Sequence, residues 1–354
     1  MNVPNVNRII LLLLIIAHST LVWSSEGTTE KKKLVILNWG NYMDPSVIKD
    51  FEAKFNVTVT QPIYSSSDDR DEKVVQSGGK GYDVIVMGSK DLRRYVQREW
   101  IIPLDTSKVP NLKYVGERFR KILPIVEKYA VPYMWGTTGI IYRNDLVKEK
   151  ITSWKQFYQP KEYLRGKIMV LGANRNAIGF GLKSLGFSFN SEDSQILAEV
   201  ERLLLAHKPY VHTYGNLKVK KESGIISGKV WMGMTYNGDA LGLKKFHSNL
   251  TYIVPKEGGV YWVDHLAVMK YSQEPQLALD FVNFLHKPEI AARSSIYLNS
   301  ATPNLRAKQL LPKSFLENSV IYPSEEALAN SEVVVPLPPR VQKKYNTIYS
   351  KLVD

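Results

Sequence analysis

The chain has 354 residues, of which 44% are apolar and 11% aromatic, and it carries a formal charge of +13. It contains no cysteine, which excludes disulfide bridges and a lipid-bearing cysteine and argues against a structural zinc site. The basic residues are scattered apart from Lys31 to Lys33. We therefore expect a solvated basic surface, weakly attracted to anionic lipid or a partner protein, and no nucleic-acid partner.

Residues 1–24 are predicted to be a signal peptide. Arg8 precedes an apolar run from Ile9 to Ala17, and Val22-Trp23-Ser24 offers a small-residue cleavage site. The run is shorter than the roughly 20 residues that a membrane-spanning helix needs, although an uncleaved anchor is the alternative. We expect an exported, soluble protein of the periplasm that is not lipid-anchored.

The mature chain opens with alternating strand and helix patterns, and its length suits two domains. Leu34–Leu37 is an apolar run typical of a buried parallel strand. Asp44-Pro45 predicts the start of a helix, since Asp is a favoured N-cap and Pro a favoured first helical residue. Val57–Thr60 and Tyr82–Val86 are the next two predicted strands.

This βαβαβ opening predicts an open, mostly parallel α/β sheet whose ligand contacts lie at the carboxyl ends of its strands. Three polar stretches fall at such ends: Asn38–Tyr42, Ser65–Asp69 and Met87–Lys90. Their side chains are therefore the first candidates for a binding site.

A second α/β region begins near Thr137. Its predicted strands are 168–171, 230–236 and 261–269, and its predicted helices are 176–185, 193–207, one opened by 237–239, and 277–285. No low-complexity linker separates the two regions, which favours strands rather than a flexible tether as the connection.

The segment Val254–Val268 carries the most specific chemistry. Trp262 and Asp264 share strand parity and face one side, and a ring beside a carboxylate suits an organic ammonium. A carboxylate in an apolar strand is costly without such a partner. The alternative is a core strand whose Asp264 caps a neighbouring loop.

Seven motifs occur in order from about Lys33 to Leu352. Together they resemble the motifs of the bacterial spermidine/putrescine-binding periplasmic proteins of ABC transporters. The motifs are Asn38–Tyr42, Gly81–Val86, Val131–Ile140, Gly233–Gly238, Val254–Gly259, Trp262–Asp264 and Ala301–Asn304. The resemblance implies a two-lobed α/β solute-binding fold of type II, with crossing strands as the hinge. It assigns residues 33–134 plus about 258–305 to the first lobe, and 135–257 plus about 306–354 to the second.

The resemblance also implies which residues bind the ligand. Trp39 and Tyr42 match an aromatic wall, Trp262 a further ring and Asp264 the acid that pairs with an ammonium. Tyr236 stands where the family has Trp, and Asp239 matches an acid of the putrescine-binding branch. Neutral oxygens for a second ligand end are expected from Asn41, Ser89 and Asn176.

Three departures from the family pattern leave the ligand open. Gly172–Asn176 lacks the acid usual there, Lys90 replaces an aromatic residue, and Ser300 replaces another. One reading is a short diamine or monoamine. The other is a ligand with both charges, whose anionic group would contact Arg175 or Lys90.

The resemblance implies clamp closure on a small amine by a monomer, which delivers the amine to an inner-membrane ABC permease. The alternative partner is a membrane sensor protein that reports amine levels. No cofactor is expected, and a ferric-ion receptor is disfavoured because no two tyrosines are adjacent. An enzyme is also disfavoured, since Asp264 and His265 point to opposite faces and no catalytic motif is present. The histidines at 207, 212, 247 and 286 are interpreted as surface or helix-end residues.

Overall fold

The computed structural model describes residues 31–353, so the predicted signal peptide lies outside the described residues. The strands are β1 (Lys32–Trp39), β2 (Val57–Thr60), β3 (Ile63–Tyr64), β4 (Val84–Gly88), β5 (Val131–Arg143), β6 (Ile168–Leu171), β7 (Val211–Gly215), β8 (Met232–Tyr236), β9 (Leu250–Ile253) and β10 (Val260–Val268). The helices are α1 (Pro45–Phe55), α2 (Ser67–Gln76), α3 (Ser89–Gln97), α4 (Glu117–Arg120), α5 (Pro124–Tyr129), α6 (Trp154–Tyr158), α7 (Asn174–Ser184), α8 (Ser194–His207), α9 (Asn237–Lys244), α10 (Pro275–Leu285), α11 (Pro288–Leu298), α12 (Leu305–Lys308), α13 (Lys313–Leu316), α14 (Glu325–Leu328) and α15 (Pro339–Val353). None of the helices between residues 31 and 353 has the length and apolar character to cross a membrane.

The first α/β region is a parallel unit, as its sequence predicts. Strand β1 pairs in parallel with β2, β3 and β4. Asp44 caps α1 by accepting a hydrogen bond from the Ser46 amide, and Pro45 occupies the first turn. The predicted strand Tyr82–Val86 begins at Val84 instead. Just before it, the Asp83 amide donates to the Val35 carbonyl at 2.8 Å, and the Asp83 carboxylate accepts from the Val35 amide at 2.7 Å.

The second region is parallel where β6 pairs with β7 and β8. Helices α7, α8 and α15 cover it, and they share one apolar core with the two strands β6 and β8. Helix α8 begins after Asp193, whose carboxylate accepts from the amides of Gln195 and Ile196. Helix α7 begins at Asn174, two residues before the predicted Asn176.

Two long antiparallel strands join the two regions into one ten-stranded sheet. Eight strands follow the order β2-β1-β4-β10-β5-β8-β6-β7, and β3 and β9 pair off this path with β1 and β5. All 13 residues of β5 are buried. Strand β10 runs antiparallel between β4 and β5, and its pairing with β5 shifts between Asp264 and His265. The prediction that crossing strands, rather than a tether, connect the lobes is confirmed, and the crossing places β10 at the centre of the sheet.

Separate apolar cores lie on either side of the crossing. One contains residues of β1, α1, β4 and α10, such as Phe51 and Phe281. Another contains residues of β6, α7, α8 and α15, such as Phe180 and Tyr345. Ala307 and Leu311 pack against Ala291 and Ala292 of α11. The residue bounds of the two lobes stay a prediction.

Candidate functional site

Asp264 lies where three strands meet. Along β10 it is paired with Gly88 at the end of β4 and with Met134 of β5. The Tyr42 hydroxyl, on the loop after β1, donates a hydrogen bond of 2.9 Å to the Asp264 Oδ2 atom. Ser89, the first residue of α3, is buried, and its hydroxyl lies 3.4 Å from the Val263 carbonyl oxygen beside Asp264.

Trp262 lies two residues before Asp264 on the same face of β10, opposite Gly136 of β5. A Cβ atom on Gly136 would overlap the Trp262 indole ring, so the close approach of ring and strand requires glycine. The Trp262 Nε1 atom is buried and has no hydrogen-bond partner among the described residues. The Tyr236 ring, at the end of β8, meets the indole edge-on at a centroid distance of 6.3 Å.

Asp239 lies in the first turn of α9, directly after β8. The start of this helix is fixed by Asn237, whose Oδ1 atom accepts from the Thr137 amide at 3.2 Å and whose Nδ2 atom donates to the Val320 carbonyl at 3.1 Å. The sequence predicted that Asn237 opens this helix, but not that its side chain contacts Thr137 and Val320 and so positions Asp239.

We call Tyr42, Tyr236, Asp239, Trp262 and Asp264 the ring-acid cluster. Burial raises the pKa of Asp264 to about 6, partly opposed by the hydrogen bond from Tyr42, and burial also raises the pKa of Asp239 to about 6. Burial raises the pKa of Tyr236 as well, and the carboxylates of Asp239 and Asp264 raise it further. Both carboxylates therefore act on one hydroxyl, although they come from different elements.

Neither carboxylate of the ring-acid cluster has a cationic partner. Within residues 31–353 no Lys, Arg or His side chain lies within 4.0 Å of the Asp239 or Asp264 oxygens. Two half-buried carboxylates beside aromatic rings favour a ligand that brings positive charge.

A second aromatic pair adjoins the cluster. The Trp39 ring, at the end of β1, lies 4.3 Å from that of Tyr64, and the Tyr64 hydroxyl donates to the Val86 carbonyl at 2.6 Å. Tyr64 was not among the predicted site residues. Its position immediately before the polar stretch Ser65–Asp69, at a strand end, is the signal that could have identified it.

Two predicted residues are not joined to the cluster. Asn41 is exposed, and its backbone adopts the left-handed conformation with φ 57°. Asn176 lies in the first turn of α7, where its side chain approaches the Gly172 carbonyl at 3.4 Å. No hydrogen bond within the described chain links either side chain to Asp264 or Asp239, so their contact with a ligand stays a prediction.

Lys90 and Arg175, the two candidate partners for an anionic group, are engaged elsewhere. The Lys90 Nζ atom lies 2.8 Å from the Asp91 Oδ1 atom. The Arg175 Nη2 atom donates to Asn190 Oδ1 at 2.6 Å and to the Val335 carbonyl at 3.2 Å. Both side chains therefore have structural partners within the chain.

The interpretation of the histidines as surface or helix-end residues holds for His207, which ends α8. The side chain is buried against Phe157 and Tyr158, because the end of the helix packs into the core. His286 also ends a helix and is buried. No group of three or more potential metal ligands occurs in the part of the chain that the structure describes.

A cavity of about 500 Å³ lies apart from the ring-acid cluster. Its lining includes Lys113, Arg120 and the single acid Glu127. Two cations in the lining make this cavity unsuitable for an amine, so the ring-acid cluster is the better candidate site.

Comparison with known proteins agrees with this fold. Residues 46–320 match the family model of the bacterial extracellular solute-binding proteins. The chain belongs to the bacterial extracellular solute-binding protein family. The family predicted from the sequence motifs is thereby confirmed, and it is a family of binding proteins, not of enzymes.

Individual relatives cover almost the whole chain. The putrescine-binding periplasmic protein SpuD of Pseudomonas aeruginosa is 28% identical over 91% of this chain and 92% of its own. The spermidine/putrescine-binding periplasmic protein of Escherichia coli is 26% identical over 87% and 88%.

Solved structures show the same architecture. The spermidine/putrescine ABC transporter substrate-binding protein PotD of Streptococcus pneumoniae has a TM-score of 0.81 at 30% identity, over 91% of this chain and 98% of that one. A putative spermidine/putrescine ABC transporter protein of Listeria monocytogenes has a TM-score of 0.81 at 32% identity, over 91% and 99%. The predicted two-lobed solute-binding fold is confirmed.

Proposed function

We propose that this protein binds a small cationic amine of the putrescine or spermidine type in the periplasm and delivers it to an ABC permease of the inner membrane. The relatives named above support the ligand class, since their names specify putrescine or spermidine. The structural neighbours named as spermidine/putrescine ABC transporter proteins support the permease partner.

The observation that carries the proposal is the unpaired charge of the ring-acid cluster. Asp239 and Asp264 are desolvated, and neither forms an ion pair within 4.0 Å in the described chain. An ammonium group would supply the missing charge and donate hydrogen bonds to both carboxylates. The rings of Trp262 and Tyr236 would cover the methylene groups beside that ammonium.

The charges of the predicted ligand residues favour a short amine. Asp239 and Asp264 are the only acids among those residues, and both belong to the ring-acid cluster. The other end of the ligand would contact neutral oxygens, for which Ser89, Asn41 and Asn176 remain the candidates. A short diamine with two ammonium groups therefore fits this arrangement better than a longer polyamine with three or four.

Binding would close two lobes about the β5–β10 crossing. The proposed first lobe comprises residues 33–134 plus about 258–305, and the second comprises 135–257 plus about 306–354. Tyr42 precedes the crossing and Tyr236 and Asp239 follow it, so a bound amine would contact both lobes and favour the closed state.

The zwitterionic alternative has less support, because Lys90 and Arg175 already have partners within the chain. Delivery to a membrane sensor instead of a permease would use the same clamp. The permease is preferred since the named relatives include transporter components.

Calorimetric titration of the mature protein, freed of ligand by unfolding and refolding, tests the proposal. The panel is putrescine, cadaverine, norspermidine, spermidine and spermine, with an amino acid and a betaine as controls. We expect micromolar or tighter binding of a diamine and weaker binding of spermine. If the folded protein showed no measurable binding of any of the five amines, the amine assignment would be refuted.

A further inference from the structure

A loop and a helix of the second region carry an unbalanced charge. Between residues 208 and 250 the chain has seven lysines and no arginine, against two acids, Glu222 and Asp239. Asp239 belongs to the ring-acid cluster. Glu222 is therefore the only acid of this segment available on its surface, and it lies 3.9 Å from Lys220.

The fold gathers five of these lysines, which look scattered in the sequence. The loop after β7 is held to α9 and β9 by one apolar core that contains Leu217, Ile225, Leu243 and Leu250. A Cβ atom on Gly242 of α9 would overlap Val219, which shows how closely the loop lies on the helix. The five exposed lysines on this common core are Lys218, Lys220, Lys221, Lys244 and Lys245, and we call them the lysine patch.

Two apolar side chains lie among the lysines with large exposed fractions. Val219 is 43% exposed and Phe246 is 40% exposed. The loop itself is a defined turn, in which the Lys220 amide donates to the Lys218 carbonyl and the Ser223 amide donates to the Lys220 carbonyl. Lysines interleaved with an exposed aromatic ring are typical of surfaces that attach to anionic lipid headgroups.

We propose that the lysine patch binds the surface of an anionic lipid bilayer. Charge complementarity carries the choice of partner: five lysines with one acid among them attract a negatively charged plane, and Phe246 can insert at the headgroup level. The inference goes beyond amine binding but rests on the proposed export, since an exported protein meets lipid rather than nucleic acid. Helix α9 links the patch to Asp239, and its eight residues span about 12 Å. Attachment would hold the amine site close to the membrane.

Vesicle sedimentation of the mature protein tests this inference. The vesicles contain either phosphatidylcholine alone or phosphatidylcholine with phosphatidylglycerol, at low and physiological salt. We expect binding to the anionic vesicles only, weakened by salt. The variant with all five patch lysines changed to Gln should lose binding by roughly fivefold for each lysine.

The matched control removes five exposed lysines elsewhere, at positions 49, 148, 150, 155 and 343. It lowers the net charge equally and should retain most vesicle binding. Equal losses in the two variants would overturn the proposal, because net charge alone would then explain the attraction. Tighter binding to duplex DNA than to anionic vesicles would also overturn it.

Calorimetric titration with putrescine separates this inference from the proposed function. The patch variant should bind putrescine as the unchanged protein does, which also shows that it is folded. Loss of vesicle binding with retained amine binding supports the patch, whereas unchanged vesicle binding refutes it whatever the amine result.

Discussion

Two neighbouring clusters of acidic residues differ in whether cations pair with their carboxylates. Between α2 and α3, Asp91 is 5% exposed, and its Oδ2 atom lies 3.0 Å from the Nη2 atom of the fully buried Arg70, with which it forms an ion pair. Lys90 and Arg94 also pair with Asp91, and Asp71 completes this paired cluster. In the ring-acid cluster, the Asp264 carboxylate accepts a hydrogen bond from one neutral donor, Tyr42, and no cation among residues 31–353 lies within 4.0 Å of it.

The difference appears in the proton affinities of the two carboxyl groups. Burial raises the pKa of Asp91, but the surrounding cations outweigh burial and bring that pKa to about 2. Burial dominates at Asp264 and raises its pKa to about 6. One cluster stabilises the fold and the other is held at a cost to it, which is typical of groups kept for binding.

The largest expected effect is the loss of amine binding in Asp264→Asn. Removing one desolvated charge partner typically costs about 2–5 kcal/mol of binding free energy. We expect putrescine affinity to fall accordingly, measured by calorimetry. The control is Asp50→Asn, which removes an exposed carboxylate paired with Arg293 and should leave affinity unchanged. Equal affinity in Asp264→Asn and the unchanged protein would remove Asp264 from the site.

Asp91→Asn should destabilise the fold. The change leaves buried Arg70 with Asp71 as its remaining carboxylate partner, and breaking a buried pair costs about 3–5 kcal/mol when no other partner remains. We therefore expect a loss of about 2–4 kcal/mol in the free energy of unfolding, measured with urea. A loss below about 1 kcal/mol would show that Asp71 alone satisfies Arg70.

Asp264→Asn should stabilise the ligand-free protein, whereas Asp91→Asn destabilises it. The folded pKa of about 6 exceeds the ordinary 3.8, so the folded state binds this proton more tightly than the unfolded state. The ionised carboxylate thus lowers stability above pH 6, by about 1–3 kcal/mol, and Asn removes that loss. Urea unfolding at pH 7.5 measures the gain, and a destabilised variant would contradict it.

The pH dependence of folding stability should also differ between Asp264 and Asp91. The Asp264 contribution becomes more favourable as pH falls through 6 toward 4, whereas the Asp91 contribution, with a folded pKa of about 2, is lost only as pH falls from about 4 to 2. We expect the stability difference between unchanged protein and Asp264→Asn to vanish below about pH 4. A difference that persists there would mean that packing, not charge, distinguishes the variants.

The sequence allowed much of this contrast to be predicted, because its strongest signals are local. The Asp44 N-cap, the apolar run of β1 and the shared face of Trp262 and Asp264 each depend on a few adjacent residues. The ion pair of Lys90 with Asp91 is local in the same sense, because the two residues are adjacent in the sequence.

The rest depends on strand register between distant segments. Gly136 lies beneath Trp262 only because β5 and β10 pair antiparallel in one register, across more than 100 residues of sequence. Tyr64 meets Trp39 because β3 pairs with β1, and Asn237 fixes α9 through contacts to Thr137 and Val320. The local pattern marks Tyr64 as a candidate by its place before a polar stretch, but it does not predict any of these long-range contacts.

Tyr42→Phe gives the smallest expected effect and tests how Asp264 is kept ionised. The Tyr42 hydroxyl donates to Asp264 at 2.9 Å and lowers the pKa of that carboxyl, so its removal should raise the pKa further. At pH 6 fewer carboxylates are then ionised, and putrescine affinity should fall about threefold to tenfold. At pH 8 the carboxylate is ionised in both proteins, so the difference should shrink. An equal loss at both pH values would instead mean that the hydroxyl contacts the ligand itself, and that Asp264 does not depend on it for its charge.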